Sequence, residues 1–304
     1  MRITRGVCVL AKVAVVILLL ASRGIADDRA AKQIDCPQLL TWIAAGIPNQ
    51  RLARLVRDRG VTFQLVQNTA EILVGVGVGA DLVKEIGTNY TSSAGKRGLG
   101  CPTELVQAAE LVHRQSYDKA EMIVRKLLTT APENADLHLV LGYLRAQQGD
   151  LDEAFDAYSD AKDLEPDFPE IHNGLSYVFY CSNDAENAVA EARTALSIDP
   201  GNAEGYRYLG LGLYGDENYK PALHALLESL DRDPNRAETY YDLGLVQTAE
   251  RDLAAAVESY QKALRINPKL LDARTKLNLA LRELGSAHAA VAEKGKVRPK
   301  DTPQ

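Results

Sequence analysis

The feature that most constrains this chain is a repeat. Ala120, Ala154, Ala188, Ala222 and Ala256 recur every 34 residues, and Pro132, Pro166, Pro200, Pro234 and Pro268 keep the same interval. The chain has only 12 prolines, so five in one register are no accident. Between them run Leu141, Leu175, Leu209 and Leu243, each followed by a small residue: Gly142, Ser176, Gly210 and Gly244. A second small position recurs at Ala161, Ala195, Ser229 and Ala263. A period of this length means one supersecondary unit per repeat, each burying its apolar face against its neighbours. Small residues such as Gly142 and Ala154 let two antiparallel helices approach closely. Large ones such as Leu141, Tyr158 and Leu209 fill the space between successive pairs. The proline ends the second helix, because it cannot continue the hydrogen-bond ladder and disfavours helix in the residue before it.

The pattern resembles the tetratricopeptide repeat, best seen in "ADLHLVLGYLRAQQGDLDEAFDAYSDAKDLEPDF", "AEGYRYLGLGLYGDENYKPALHALLESLDRDPNR" and "AETYYDLGLVQTAERDLAAAVESYQKALRINPKL". The resemblance implies an all-α fold. It is a right-handed α-solenoid of about five helix–turn–helix units over residues 101–285, closed by a capping helix, "LLDARTKLNLALREL". The first copy departs from the pattern with Gln107-Ala108 in place of Leu-Gly, and the third has Ala192 where a bulky residue is usual. Residues 286–304, ending "KGKVRPKDTPQ", read as a disordered tail.

The N-terminus is different in kind. Arg2, Arg5 and Lys12 precede the unbroken apolar run Val13 to Ala21, followed by Gly24-Ile25-Ala26 and the first acids, Asp27 and Asp28. That order reads as a cleaved signal peptide over residues 1–26 and as export to a periplasmic or extracellular space. The alternative is an uncleaved segment anchoring the chain to the inner membrane. Removing these residues takes four of the 35 basic residues and none of the 41 acidic ones, leaving a net charge of −10. With no basic run, the chain lacks the phosphate-neutralising surface that nucleic acid requires.

Residues 35–90 do not follow the repeat. "PQLLTWIAAG", "IPNQRLARLVRDRG", "TAEILVGVG" and "GADLVKEIG" are short apolar-periodic runs broken by glycine or proline, a small helical module joined by a linker at 91–100. It resembles modules found beside repeat domains in bacterial envelope and signalling proteins, and the resemblance brings no activity. Gly75, Gly77 and Ala80 fall on the spacing of a dinucleotide-binding turn. That motif needs a βαβ unit and an acid about 20 residues on, whereas a short helix and a glycine-rich polar stretch follow. The reading is a helix–turn–helix without a cofactor.

Candidate sites are few. His138 and His172 occupy the slot held by Tyr206 and Tyr240 in later repeats and read as aromatic packing residues; no Ser–His–Asp or Cys–His set can be assembled. Neither a catalytic set nor a small-molecule substrate is indicated. Cys36 and Cys101 bracket the module, and in an oxidising compartment they either close a disulfide or stand as free thiols. The tetratricopeptide resemblance implies a concave groove lined by the first helix of each repeat, and carried onto this sequence the lining positions hold Tyr143, Asn173, Tyr177, Tyr180, Arg207, Tyr208, Tyr214 and Tyr241. Tyrosine offers a large apolar face with a polar tip, suited to a protein or peptide partner. Asp136, Glu170, Glu204 and Glu238 share one slot in the first helical turn and read as acids favoured by the helix dipole. Leu105, Ala109 and Val140 stand where a carboxylate clamp would need polar groups. The expectation is a non-catalytic scaffold of the cell envelope. A self-assembling structural protein, with a homo-oligomer as its partner, and an enzyme with its site in the N-terminal module are the alternatives.

Overall fold

A computed structural model of the protein describes residues 33–90 and 101–296, with side chains to residue 286. The expected signal peptide (1–26), the linker (91–100) and residues 297–304 of the expected tail lie outside these. The chain divides into two compact units, one up to Asp167 and one from Phe168 onward. The first contains α1 (Cys36–Ala44), α2 (Asn49–Arg59), α3 (Gln67–Gly75), α4 (Ala80–Thr88), α5 (Thr103–His113), α6 (Tyr117–Thr130), α7 (Ala135–Gln148) and α8 (Leu151–Leu164). The second contains α9 (Pro169–Cys181), α10 (Ala185–Ile198), α11 (Ala203–Gly215), α12 (Tyr219–Arg232), α13 (Ala237–Ala249), α14 (Leu253–Ile266) and α15 (Leu271–Lys296). Among the described residues the fold is all-α, with extended pairing limited to isolated bridges at Ile34–Val61 and Val61–Tyr90.

From α5 to α14 the helices form five pairs in the expected register, and α15 closes the series. Within each pair the recurring small residue brings the two helices together. A Cβ on Gly142 would lie 2.7 Å from the Tyr158 ring, and one on Gly244 would lie 2.5 Å from Tyr260. In the second unit the first helices α9, α11 and α13 lie side by side, and each also packs on its own second helix. Leu226, Val246 and Ala222 are fully buried in the core between pairs. Helix α15 packs on α14 through Ala280, beside Val257 and Tyr260, and leaves Leu271, Leu279 and Leu281 exposed. It runs past residue 285, so the first part of the stretch expected to be a tail is helical.

The turn inside each pair carries a second 34-residue signal. Gln115, Gly149, Asn183, Glu217 and Arg251 all have positive φ, between 57° and 87°. Only Gly149 is the residue type that adopts this region without a Cβ penalty. Left-handed backbone costs other L-residues about 1–2 kcal/mol. Glu217→Gly and Arg251→Gly are therefore each expected to stabilise the protein, the gain trimmed to about 1 kcal/mol or less by glycine's larger unfolded entropy. Denaturant midpoints of the single variants check this, and a lower midpoint in both would contradict it.

In the first unit, Asp35 caps α1 by accepting from the Gln38 N–H at 2.8 Å, with proline inside the first turn. Trp42, Leu39, Leu40, Leu52, Leu73, Leu82 and Ile86 form a fully buried apolar set. The stretch around Gly75, Gly77 and Ala80 is the end of α3, a turn and the start of α4. Gly77 has φ +90°, and a side chain there would run into the His113 ring, so its glycine serves packing.

Cys36 and Cys101 are joined in a disulfide, their Cα atoms 5.2 Å apart, which ties the start of α1 to the start of α5. A native disulfide stabilises typically by about 2–4 kcal/mol. Cys36→Ser with Cys101→Ser is expected to lose that amount, measured as a lower melting temperature that dithiothreitol does not lower further. An equal effect of reductant on both proteins would contradict it.

Candidate functional site

The inner face of the first two repeats is taken by the chain itself. Helix α1 packs on α5 and α7. The Trp42 indole Nε1 donates to Asp136 Oδ1 at 2.8 Å, and the Gln38 amide donates to Asp136 Oδ2 at 3.5 Å. Gly46 (φ +71°) lies so close to the Tyr143 ring that a Cβ there would sit 2.5 Å from it. Asp136 is thus more than an acid placed for the helix dipole: it holds the module in place. Tyr143, grouped by sequence with the partner-facing tyrosines, packs against the module. Beside this contact an open polar recess of about 550 Å³ is lined by Gln38, Glu165 and the stretch of residues 130–136.

The remaining groove positions lie together in the second unit, on α9, α11 and α13. Tyr177 and Tyr208 stand with ring centroids 6.0 Å apart, tilted at 59°. Tyr214 faces Tyr219 at 6.1 Å, and Tyr241 faces Tyr260 at 6.1 Å. All five groove tyrosines are half-buried, and the structure places Asn173 deeper: it is 4% exposed, and its Oδ1 has no hydrogen-bond partner.

An ion network underlies these rings. Arg207 Nε donates to Asp242 Oδ2 at 2.6 Å, both side chains nearly buried, and its guanidinium lies 5.0 Å from the Tyr208 ring centre. Arg236 meets Glu204 at 2.9 Å and Glu238 at 3.3 Å. Burial pushes the Asp242 carboxyl above the usual carboxylate range, against the pull of Arg207. Burial works against the Arg207 charge too, but Asp242 and its acidic neighbours hold it well above its ordinary value. The sequence alone does not single out Asp242. Its only signal is an opposite charge 35 residues after Arg207, one slot along on the next first helix.

The polar groups left open on this face are mostly donors. The two Nη atoms of Arg207 make no hydrogen bond among the described residues; a Glu204 carboxylate oxygen lies 3.9 Å from Nη1. The hydroxyls of Tyr180, Tyr208, Tyr214 and Tyr241 likewise make none among the described residues, and none of these atoms is sealed from solvent. Burial raises the ionisation of Tyr208 and Tyr241 to about 12 and pushes Tyr177 and Tyr180 up as well, so the hydroxyls keep their protons at neutral pH.

Family models for the tetratricopeptide repeat match residues 237–270 and 142–182. These segments are tetratricopeptide repeats, and the helix pairs pack as in a solenoid of that family. The chain is similar in fold to TTC0263, a thermophilic tetratricopeptide repeat protein of Thermus thermophilus, at 20% identity over 59% of this chain and 97% of that one, with a TM-score of 0.54. It is also similar to PilW, a widely conserved type IV pilus biogenesis factor, at 22% identity over 63% of this chain and 89% of that one, with a TM-score of 0.52. At these identities the likeness is one of fold. No curated protein matches the chain. Tetratricopeptide repeat proteins are generally non-catalytic scaffolds that bind protein or peptide partners.

The two histidines of the repeat slot do polar work as well as packing. His172 is buried with Nδ1 2.6 Å from Glu191, and His138 Nε2 lies 2.8 Å from the Pro132 carbonyl. Among the described residues no three His, Cys, Asp or Glu side chains are grouped to hold a metal, and no helix is long and apolar enough to cross a membrane.

Proposed function

We propose that this protein is a non-catalytic adaptor of the cell envelope that holds a protein or peptide partner on the tyrosine-lined face of its second unit. The observation that carries this reading is the contrast between two equivalent faces. In the first two repeats the slot residues Asp136 and Tyr143 are engaged by the module; in the second unit Tyr180, Tyr208, Tyr214, Tyr241 and Arg207 keep open donors. Half-buried aromatic rings with unused polar tips favour partner binding. The signal-like segment 1–26 and the Cys36–Cys101 disulfide support an exported, oxidising location.

The test is affinity capture from envelope extract with residues 27–304 and with the variant Tyr177→Ala/Tyr180→Ala/Tyr214→Ala, once unchanged helicity and melting are established. A protein retained by the wild type and lost by the variant supports the reading; identical retention by both overturns it. The self-assembling alternative has one observation in its favour, the exposed Leu271, Leu279 and Leu281 on α15. Sedimentation that shifts with concentration, and stops shifting when these leucines become serine, would favour self-assembly over the adaptor.

A further inference from the structure

We propose that the tyrosine face of the second unit binds a proline-rich segment in polyproline II conformation, neutral or basic in charge, laid across α9, α11 and α13. This rests on the reading of that face as the partner site and specifies what it takes.

Three observations point the same way. The first is the balance of open hydrogen-bonding groups. Arg207 Nη1 and Nη2 can only donate, and the hydroxyls of Tyr180, Tyr208, Tyr214 and Tyr241 each have a proton to give. Of the carboxylates nearby, Asp242 accepts from Arg207 and Glu204 is paired with Arg236, while Glu238, 3.3 Å from Arg236 Nε, stays partly exposed and suits a lysine or arginine of the segment. A segment that supplies carbonyl oxygens and few N–H groups fits such a surface. Proline is the residue that keeps its carbonyl and has no N–H.

The second is the period. Packed helices lie roughly 8–10 Å apart, and α9, α11 and α13 are neighbours in that order. A polyproline II chain advances about 9 Å per turn of three residues. Every third residue therefore returns to the same side and meets the next first helix. An α-helical ligand rises only about 5.4 Å per turn, so its turns fall out of step with the repeats. The rings at Tyr177 and Tyr208 and at Tyr214 and Tyr219 offer the tilted apolar surfaces on which pyrrolidine rings pack.

The third is charge. Glu204, Glu238 and Asp242 outnumber Arg207 and Arg236, and Glu170 shares the first-turn slot on α9. An acidic segment would be repelled, whereas lysine or arginine beside the prolines would be drawn in.

The experiment titrates residues 27–304 with fluorescein-labelled peptides followed by anisotropy. The first peptide has nine prolines flanked by two lysines at each end. The second has the same lysines around nine glycine and serine residues, the third nine prolines flanked by glutamates, and the fourth is a lysine-flanked amphipathic helix of similar length. The expected result is that the first binds at least tenfold more tightly than each of the others. Tyr208→Phe with Tyr241→Phe, which keeps both rings and removes both hydroxyls, should weaken it about tenfold at unchanged melting temperature. If the helical peptide binds best and is lost in the Tyr177→Ala/Tyr180→Ala/Tyr214→Ala variant, the partner face stands and the polyproline assignment falls. If the glycine–serine or glutamate-flanked peptide binds as well as the first, or if none binds, the assignment also falls. Envelope capture then judges the face separately.

Discussion

Trp42→Ala is expected to be the most damaging single substitution in the first unit. The side chain is fully buried, and removing a buried tryptophan costs about 3–5 kcal/mol through lost transfer energy and the cavity left behind. The change also takes away the indole N–H that donates to Asp136, leaving a partly buried carboxylate short of a donor, at a further cost of about 1–3 kcal/mol. The two costs fall where α1 meets α7, so the module should detach from the first repeats before the repeats themselves unfold. Calorimetry should show a large drop in the first transition, and hydrogen exchange should show loss of protection in α1 and around Tyr143. Trp42→Phe separates the contributions: it keeps most of the packing and loses the hydrogen bond, so its cost should be clearly smaller. A melting temperature within a degree or two of wild type for Trp42→Ala would mean that the module is not seated as described.

Asp242→Ala is expected to cost about 3 kcal/mol in the second unit, because it leaves the nearly buried Arg207 guanidinium without its hydrogen-bonded counter-charge and with only Glu204, 3.9 Å away, to offset it. Asp242 is 2% exposed, so water cannot readily take its place. The compensating variant is informative. Replacing the pair together, Arg207→Met with Asp242→Leu, should recover most of the stability, since a buried ion pair contributes little beyond a well-packed apolar pair. The double variant should nonetheless lose partner binding, because it removes the guanidinium donors from the tyrosine face. Chemical denaturation of both variants checks the first claim. If the double variant is as unstable as Asp242→Ala, the pair is structural in a way that burial and charge do not explain.

Much of the fold is legible in the sequence because its determinants are local and periodic. Ala120 to Ala256 and Pro132 to Pro268 mark the pairs directly, and Gly142 and Gly244 sit where the ring of the partner helix leaves no room for a Cβ. The left-handed turn position shares the same period but is hidden, since four of its five residues, Gln115, Asn183, Glu217 and Arg251, are not glycine. The seat of the module is not legible at all. Trp42 and Asp136 are 94 residues apart, and nothing local to Asp136 distinguishes it from Glu204 or Glu238 in the same slot. Slot position alone puts Tyr143 with Tyr177, and only the tertiary contact with Gly46 separates them. Arg207 is legible as a lining residue, but its partner Asp242 lies on the next repeat and becomes visible only when the helices are side by side.

The most direct test is hydroxyl-radical footprinting of residues 27–304, read by mass spectrometry at each aromatic residue, alone and after addition of the partner recovered by capture. Trp42 should be unreactive and Tyr143 only weakly reactive in both states, while Tyr177, Tyr180, Tyr208, Tyr214 and Tyr241 should react in the free protein and be protected in the complex. Strong labelling of Trp42 and Tyr143 in the free protein, or a complex in which none of the five tyrosines gains protection, would contradict the assignment of one face to the module and the other to a partner.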